Sequence, residues 1–233
     1  MKRREFIRGA ATCAAGLATG VNLFAERTSQ TSAANLTDGV DLSGATTLGE
    51  KLAAMTPYLT LSNRILMPII GFCAGKFDGS KDKNALEAAL GLGYRLIDTD
   101  GAEEGAATAF AASGLERGQL FIQSSVSAQN ADENGMIKSL ERSLKKLNTD
   151  YVDLLLLRVG AGDAGSAWRV LQRLYREGLA AAIGICDHLG EFGAKNLAKI
   201  AQGSEVRPAV YQTPARSYLR HFAMRGKLTD HDV

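Results

Sequence analysis

This 233-residue chain has few of the residues that metal and redox centres are built from. It holds three cysteines, Cys13, Cys73 and Cys186, at no metal or redox spacing. That excludes a disulfide framework and a thiolate metal site. Its three histidines, His188, His221 and His231, form no ligand cluster. His188 stands beside Cys186 and Asp187, but consecutive residues at a strand end point in different directions and do not surround an ion. No GxGxxG follows a strand-like run and no Walker loop appears, which removes the glycine-rich dinucleotide fold and phosphate-binding loops. Charge of one sign is scarce as well. Residues 1–33 carry five Lys/Arg against two Glu, +3, so the remainder of a +2 chain is −1. Such a chain offers nucleic acid no basic face. No apolar run is long enough to span a membrane stably. What is present is ordinary: 45% apolar and 22% charged residues, enough for a core in one large domain or two small ones.

The first residues read as an address. KRREFIRG, Lys2 to Gly9, sets Arg3 and Arg4 before Phe6 and Ile7. The mild, small-residue run AATCAAGLATGVNLF follows. This resembles a twin-arginine export signal, with two small-residue cleavage sites open, Thr31-Ser32-Ala33 and the poorer Leu23-Phe24-Ala25. Residues 1–33 are therefore set aside as signal, which implies the twin-arginine machinery as a partner and a destination outside the cytoplasm. Residues 34–57 read as a polar linker rich in Ser, Thr, Asp and Gly.

From residue 58 a rhythm sets in. Leu59–Cys73 reads as a hairpin turning at Ser62-Asn63, then a strand. Asp82 opens a helix that ends near Gly91 and Gly93. YRLIDTD, Tyr94 to Asp100, is a strand, and Ala106 to Ser113 a short helix closed by Gly114. QLFIQSSV, Gln119 to Val126, is a strand. Ile137, Leu140, Leu144 and Leu147 recur as one face of an amphipathic helix. YVDLLLLR, Tyr151 to Arg158, is a doubly buried strand that ends on a charge. Trp168, Leu171, Leu174 and Tyr175 mark another helical stripe, stopped by Gly178. Ala181–Asp187 is a strand, Asn196–Ile200 a helix, and Pro208–Thr213 the last strand. Strands alternating with helices imply parallel strands joined by right-handed crossovers. The spacing suits a barrel or a doubly wound sheet equally.

The segments GYRLIDTD, ERGQLFI, SLERSLKKLNTDYVDLLLLR, LYREGLAAAIGIC and VRPAVYQ, after the LSNRILMPIIGFC hairpin and in this order, resemble the aldo/keto reductase family over about residues 58–220. The resemblance implies an α/β fold, a parallel (β/α) barrel preceded by an N-terminal hairpin, filling residues 58–233. About six of eight βα units fit before Val233. It implies NADP held at the C-terminal ends of the strands and a small carbonyl substrate. Hydride passes from the nicotinamide to the carbonyl carbon while a tyrosine protonates the oxygen.

Carried over position by position, the resemblance predicts an unusual site. The family's aspartate is Asp98. Its tyrosine position holds Glu103, its lysine position Ser125, and its substrate-orienting histidine position Arg158. The Ser-Asn that holds the carboxamide is Cys186-Asp187, the next Asn is Tyr211, and only Gln212 matches. The charge balance of these positions predicts an ion pair of Asp98 with Arg158, shared with Glu103. Three readings follow: a carbonyl reductase of reduced activity, a non-catalytic binder of a small molecule or partner, and a truncated product without function. Six units would also leave two sheet edges open, through which two copies could dimerise.

Overall fold

The computed structural model describes residues 44–75, 80–130, 133–159, 163–187, 197, 200–201 and 203–220. The export signal, Cys13 and the three histidines lie outside these residues.

The first described element is a helix, α1 (Leu48–Met55). It lies inside the stretch expected to be linker, so that reading holds at most up to its start. The local reason is a capping box. Thr47 accepts from the Glu50 N–H at 3.1 Å, and the Glu50 carboxylate accepts from the Thr47 N–H at 2.9 Å. Gly49 then lets the helix sit against the turn at Gly91–Gly93: a Cβ at Gly49 would stand 2.4 Å from the Gly91 carbonyl oxygen. A polar composition concealed this docking.

Strands β1 (Tyr58–Thr60) and β2 (Leu66–Pro68) form the expected antiparallel hairpin, with Ser62-Asn63 at its turn. Six further strands make one parallel sheet in chain order: β3 (Gly71–Cys73), β4 (Leu96–Asp98), β5 (Phe121–Ser127), β6 (Val152–Arg158), β7 (Ala180–Cys186) and β8 (Val210–Gln212). The helices between them are α2 (Ser80–Gly91), α3 (Glu103–Ser113), α4 (Glu133–Leu147) and α5 (Ala164–Arg176). A last helix, α6 (Ala215–Arg220), follows β8. In the segment expected as the Asn196–Ile200 helix, Leu197 and Ile200 are helical and buried. Sequential parallel pairing with no switch of strand order is the barrel alternative, not the doubly wound one.

Two cores separate the faces of the sheet. On the outer face Ile122, Val126, Leu155, Leu157, Ile183 and Ile185 pack against the helices. On the inner face Phe121, Leu154, Leu156, Ala182 and Cys186 pack together, with Leu61, Ile65 and Met67 of the hairpin region against them. The hairpin therefore closes the N-terminal floor of the sheet. Asn63 fixes it there, donating from its side-chain amide to the Ala181 carbonyl at 3.0 Å. All strands point the same way, so their C-terminal ends, and the residues singled out from the sequence, gather at the opposite rim.

Candidate functional site

Register places the rim residues. Cys73 pairs with Asp98, Ser125 with Leu156, Ser127 with Arg158, Arg158 with Cys186, and Cys186 with Gln212. Parallel partners share a face, and Leu156 and Cys186 belong to the inner core. Asp98, Ser125, Ser127, Arg158 and Gln212 therefore all stand on the inner face, at or just below the mouth. Beside them runs an open groove of about 400 Å³, lined by Met67, Ile69, Leu96, Gln123, Val210 and Gln212 among others.

Arg158, the charge at the end of the leucine run, is only part-buried and does carry a carboxylate partner. Its Nη1 donates to Asp100 Oδ2 at 2.6 Å. The partner is thus Asp100, two residues past the carboxylate that the charge balance pointed to. Asp98 Oδ1 accepts the Asp100 N–H at 3.3 Å, which shapes the turn that presents Asp100. Two neighbouring polar atoms have no partner: Arg158 Nε and Ser125 Oγ are both buried and make no hydrogen bond. Ser124 Oγ, on the outer face, is in the same state.

Glu103 takes no part in this cluster. It is the first residue of α3, which begins three residues earlier than expected, and its Oε1 accepts from Ser143 Oγ of α4 at 2.8 Å. The position matching the family's proton donor joins two helices here. None of the six strands carries a lysine, and Tyr211 is their only tyrosine. Tyr211 packs on the outer core and donates to Asp187 Oδ2 at 2.7 Å. Burial, then this bond to a carboxylate, push its phenol well above the ordinary range.

The carboxamide positions do not fit a nicotinamide. Cys186 is 2% exposed, and its thiol is pushed up to about 12 by burial first and by Asp98 next. A buried neutral thiol is a poor donor. Asp187 is also 2% exposed and is engaged by Tyr211. Of the four positions Tyr211 and Gln212 line the groove, and of these two only Gln212 carries an amide side chain. Among the described residues no group of three or more His, Cys, Asp or Glu could hold a metal ion, and no helix is long and apolar enough to cross a membrane.

Two features escaped the sequence reading. One is Asp100, which lies past the end of β4 in the turn that follows, where strand alternation no longer assigns a face. The second is at the floor. Arg117 donates to Thr149 Oγ1, to the carbonyls of Leu120 and Tyr151, and to Asp153 Oδ2 at 2.7 Å, and it lies over the Tyr151 ring at 4.0 Å. Asp153 also accepts the Ile122 N–H at 2.8 Å. The motif LNTDYVDLLLL is thus a structural latch between β5 and β6.

Comparisons with known proteins agree with this architecture. The family profile "Aldo/keto reductase family" matches residues 70–226. An aldo-keto reductase of Mycolicibacterium smegmatis is 32% identical over 179 residues, which are 74% of this chain and 62% of that protein. Among solved structures, the aldo/keto reductase of Brucella melitensis superposes with a TM-score of 0.67 at 28% identity, covering 76% of this chain and 70% of that one. The Bombyx mori aldo-keto reductase solved in complex with NADP shares the fold, with a TM-score of 0.65 at 22% identity over 76% of this chain and 64% of that one. The chain spans about two thirds of the length of the curated relatives it matches, 62% of the first and 66% of the next. Six parallel strands in sequential order, the hairpin under their floor and the profile match together place this chain in the aldo/keto reductase family.

Proposed function

We propose that this chain is an exported aldo/keto reductase homologue whose barrel mouth binds a small molecule and has given up most of the family's hydride transfer. The observation that carries this reading is Glu103. The residue at the proton-donor position is tied to Ser143 on the neighbouring helix, away from the mouth. Ser125 at the lysine position brings no charge, and Arg158 at the histidine position is bound to Asp100. A carbonyl could enter beside Arg158, but among the described residues no tyrosine or lysine stands there to protonate its oxygen as hydride arrives. NADP is the cofactor of the family reaction, and Gln212 is the one matched residue that would meet it.

The experiment is a pair of measurements on one sample. NADPH consumption is followed with a panel of aldehydes and ketones, and thermal unfolding is recorded with and without NADPH and each carbonyl compound. A ligand that binds only the folded state raises the melting point by mass action. The expected result is NADPH loss no faster than in protein-free controls, with a melting point that rises on adding a carbonyl compound. Catalysed NADPH oxidation would instead establish a working reductase and overturn this reading. Export is supported by Arg3 and Arg4. A reporter fused behind residues 1–33 should leave the cytoplasm only when both arginines and the twin-arginine translocase are present; export of an Arg3→Lys, Arg4→Lys double variant at the normal rate would refute it.

A further inference from the structure

We infer that the groove takes a neutral cyclic amide with an apolar body, its N–H and C=O paired with the side-chain amide of Gln123. The inference rests on the small-molecule-binding part of the reading above and names the ligand class.

Gln123 stands on β5 in register with Asp98 on one side and Leu154 on the other. It is therefore on the inner face, one inner-face position deeper than Ser125. Its main chain is fixed, because the Gln123 carbonyl accepts both the Thr99 N–H and the Thr99 Oγ1 hydroxyl at 2.9 Å. The residue lines the groove and is only 5% exposed. Among the described residues its side-chain amide nonetheless makes no hydrogen bond. A nearly buried polar group without a partner is rare in folded proteins and asks for an explanation. The Gln123 amide also differs from Ser125 Oγ and Arg158 Nε, which are sealed: its two polar atoms still meet open space. That space is the groove, so an occupant of the groove can reach them.

The lining sets the chemistry of that occupant. No residue of the lining is charged. A carboxylate or an ammonium group would lose its hydration there and find no counter-charge among the lining residues. Met67, Leu96 and Val210 supply apolar wall, and the volume of about 400 Å³ holds a bicyclic ring system. The side-chain amide of Gln123 offers an acceptor oxygen and an N–H donor side by side. Two hydrogen bonds close against it only when the ligand carries N–H and C=O on one edge. A ketone or an ester brings an acceptor alone. A trans peptide group turns its N–H and C=O to opposite sides. A primary amide has the matching edge but strands its second N–H against apolar wall. A lactam or cyclic imide is locked with both groups on one edge and has no second N–H there. Gln212, register partner of Cys186, stands at the rim end of the groove, which leaves the deeper end to Gln123.

The test is calorimetric titration of the full chain with 2-quinolinone, 1-methyl-2-quinolinone and coumarin. The three share one bicyclic body and one carbonyl, and differ in carrying N–H, N-methyl or a ring oxygen beside it. The lactam 2-quinolinone should bind at one site, about tenfold tighter than the lactone coumarin, the difference expected for one further hydrogen bond in a nearly dry groove. The N-methyl compound should bind no tighter than coumarin. Gln123→Leu removes the amide and keeps the bulk, and should erase the lactam preference while coumarin still binds. Melting curves check that the variant is folded; should it not fold, Gln123→Met, an unbranched apolar chain, carries the same test. Equal binding of lactam and lactone, a lactam preference that survives in Gln123→Leu, or no binding of the lactam would each overturn the inference. So would a preference abolished by Gln212→Leu and not by Gln123→Leu, which would put the amide pair at the rim. Each of these failures, with no catalysed NADPH oxidation, sinks this assignment and leaves the broader proposal standing. A lactam preference that depends on Gln123, found together with catalysed NADPH oxidation on an aldehyde, does the reverse.

Discussion

At the scale of single residues, the mouth and the floor of this sheet have separate duties. Arg117 and Asp153 form a largely buried pair whose remaining polar atoms are met by backbone groups and Thr149. Burial pushes the Asp153 carboxyl up, against the pull of Arg117 and of the Ile122 N–H. Arg117→Ala should cost about 3 kcal/mol, because it strands a buried carboxylate. In that variant Asp153 protonates more readily, so the gap to the wild type should narrow as pH falls; denaturant melts across the acid range would show it. The thiols offer a second check. Cys186 is buried and its thiol held up to about 12, whereas Cys73 is exposed. Iodoacetamide at about pH 8 should label Cys73 in the folded protein and reach Cys186 only after unfolding, read by peptide mass mapping. Labelling of both at equal rates would contradict the placement of Cys186 on the inner core.

At the scale of elements, α1 supplies the clearest pH dependence. Its capping carboxyl, Glu50, is lowered to about 2 from an ordinary 4.5, first by the backbone of Thr47. A depressed folded-state value means that the contribution is complete above about 4.5 and is lost as pH falls towards 2. Amide exchange in α1 should lose protection over that window while α3, which has no side-chain cap, keeps its own, and Glu50→Gln should remove the difference. This helix also marks where the sequence was hard to read. Its start signal, Thr47 with Glu50 three residues on, is present, but the apolar stripe is short and the flanks are polar. The β strands and the helices α4 and α5 were legible because their patterns are long and their partners near in sequence. The site was legible only by position. The resemblance put Asp98, Ser125, Arg158 and Gln212 at strand ends, and the register sets them on one face of the sheet. It misdirected Glu103, because a helix that starts at Glu103 turns the carboxylate to Ser143. It also missed Asp100, because a partner beyond the strand end is set by a turn rather than by periodicity.

At the scale of the whole molecule, the described sheet runs from β3 to β8 without returning to its first strand. Its inner face carries the groove, and Ile69, Ile70, Tyr218 and Leu219 remain exposed near it. Unpaired edges and contiguous apolar surface favour association. Sedimentation of this chain at micromolar concentration should reveal a reversible dimer that dissociates on dilution; a strict monomer at every concentration would show that these edges are protected. The latch at the floor has one more consequence. Arg117 and its partners hold β5 to β6 without using any residue of the mouth, and Asn63 anchors the hairpin below them. Drift at the rim therefore carries little folding penalty, and an ancestral chemistry can disappear while its scaffold persists. The same independence makes the rim a place for transplantation: side chains exchanged at positions 125 and 158 would be judged by what they do to ligands, with the floor serving as an unchanged chassis.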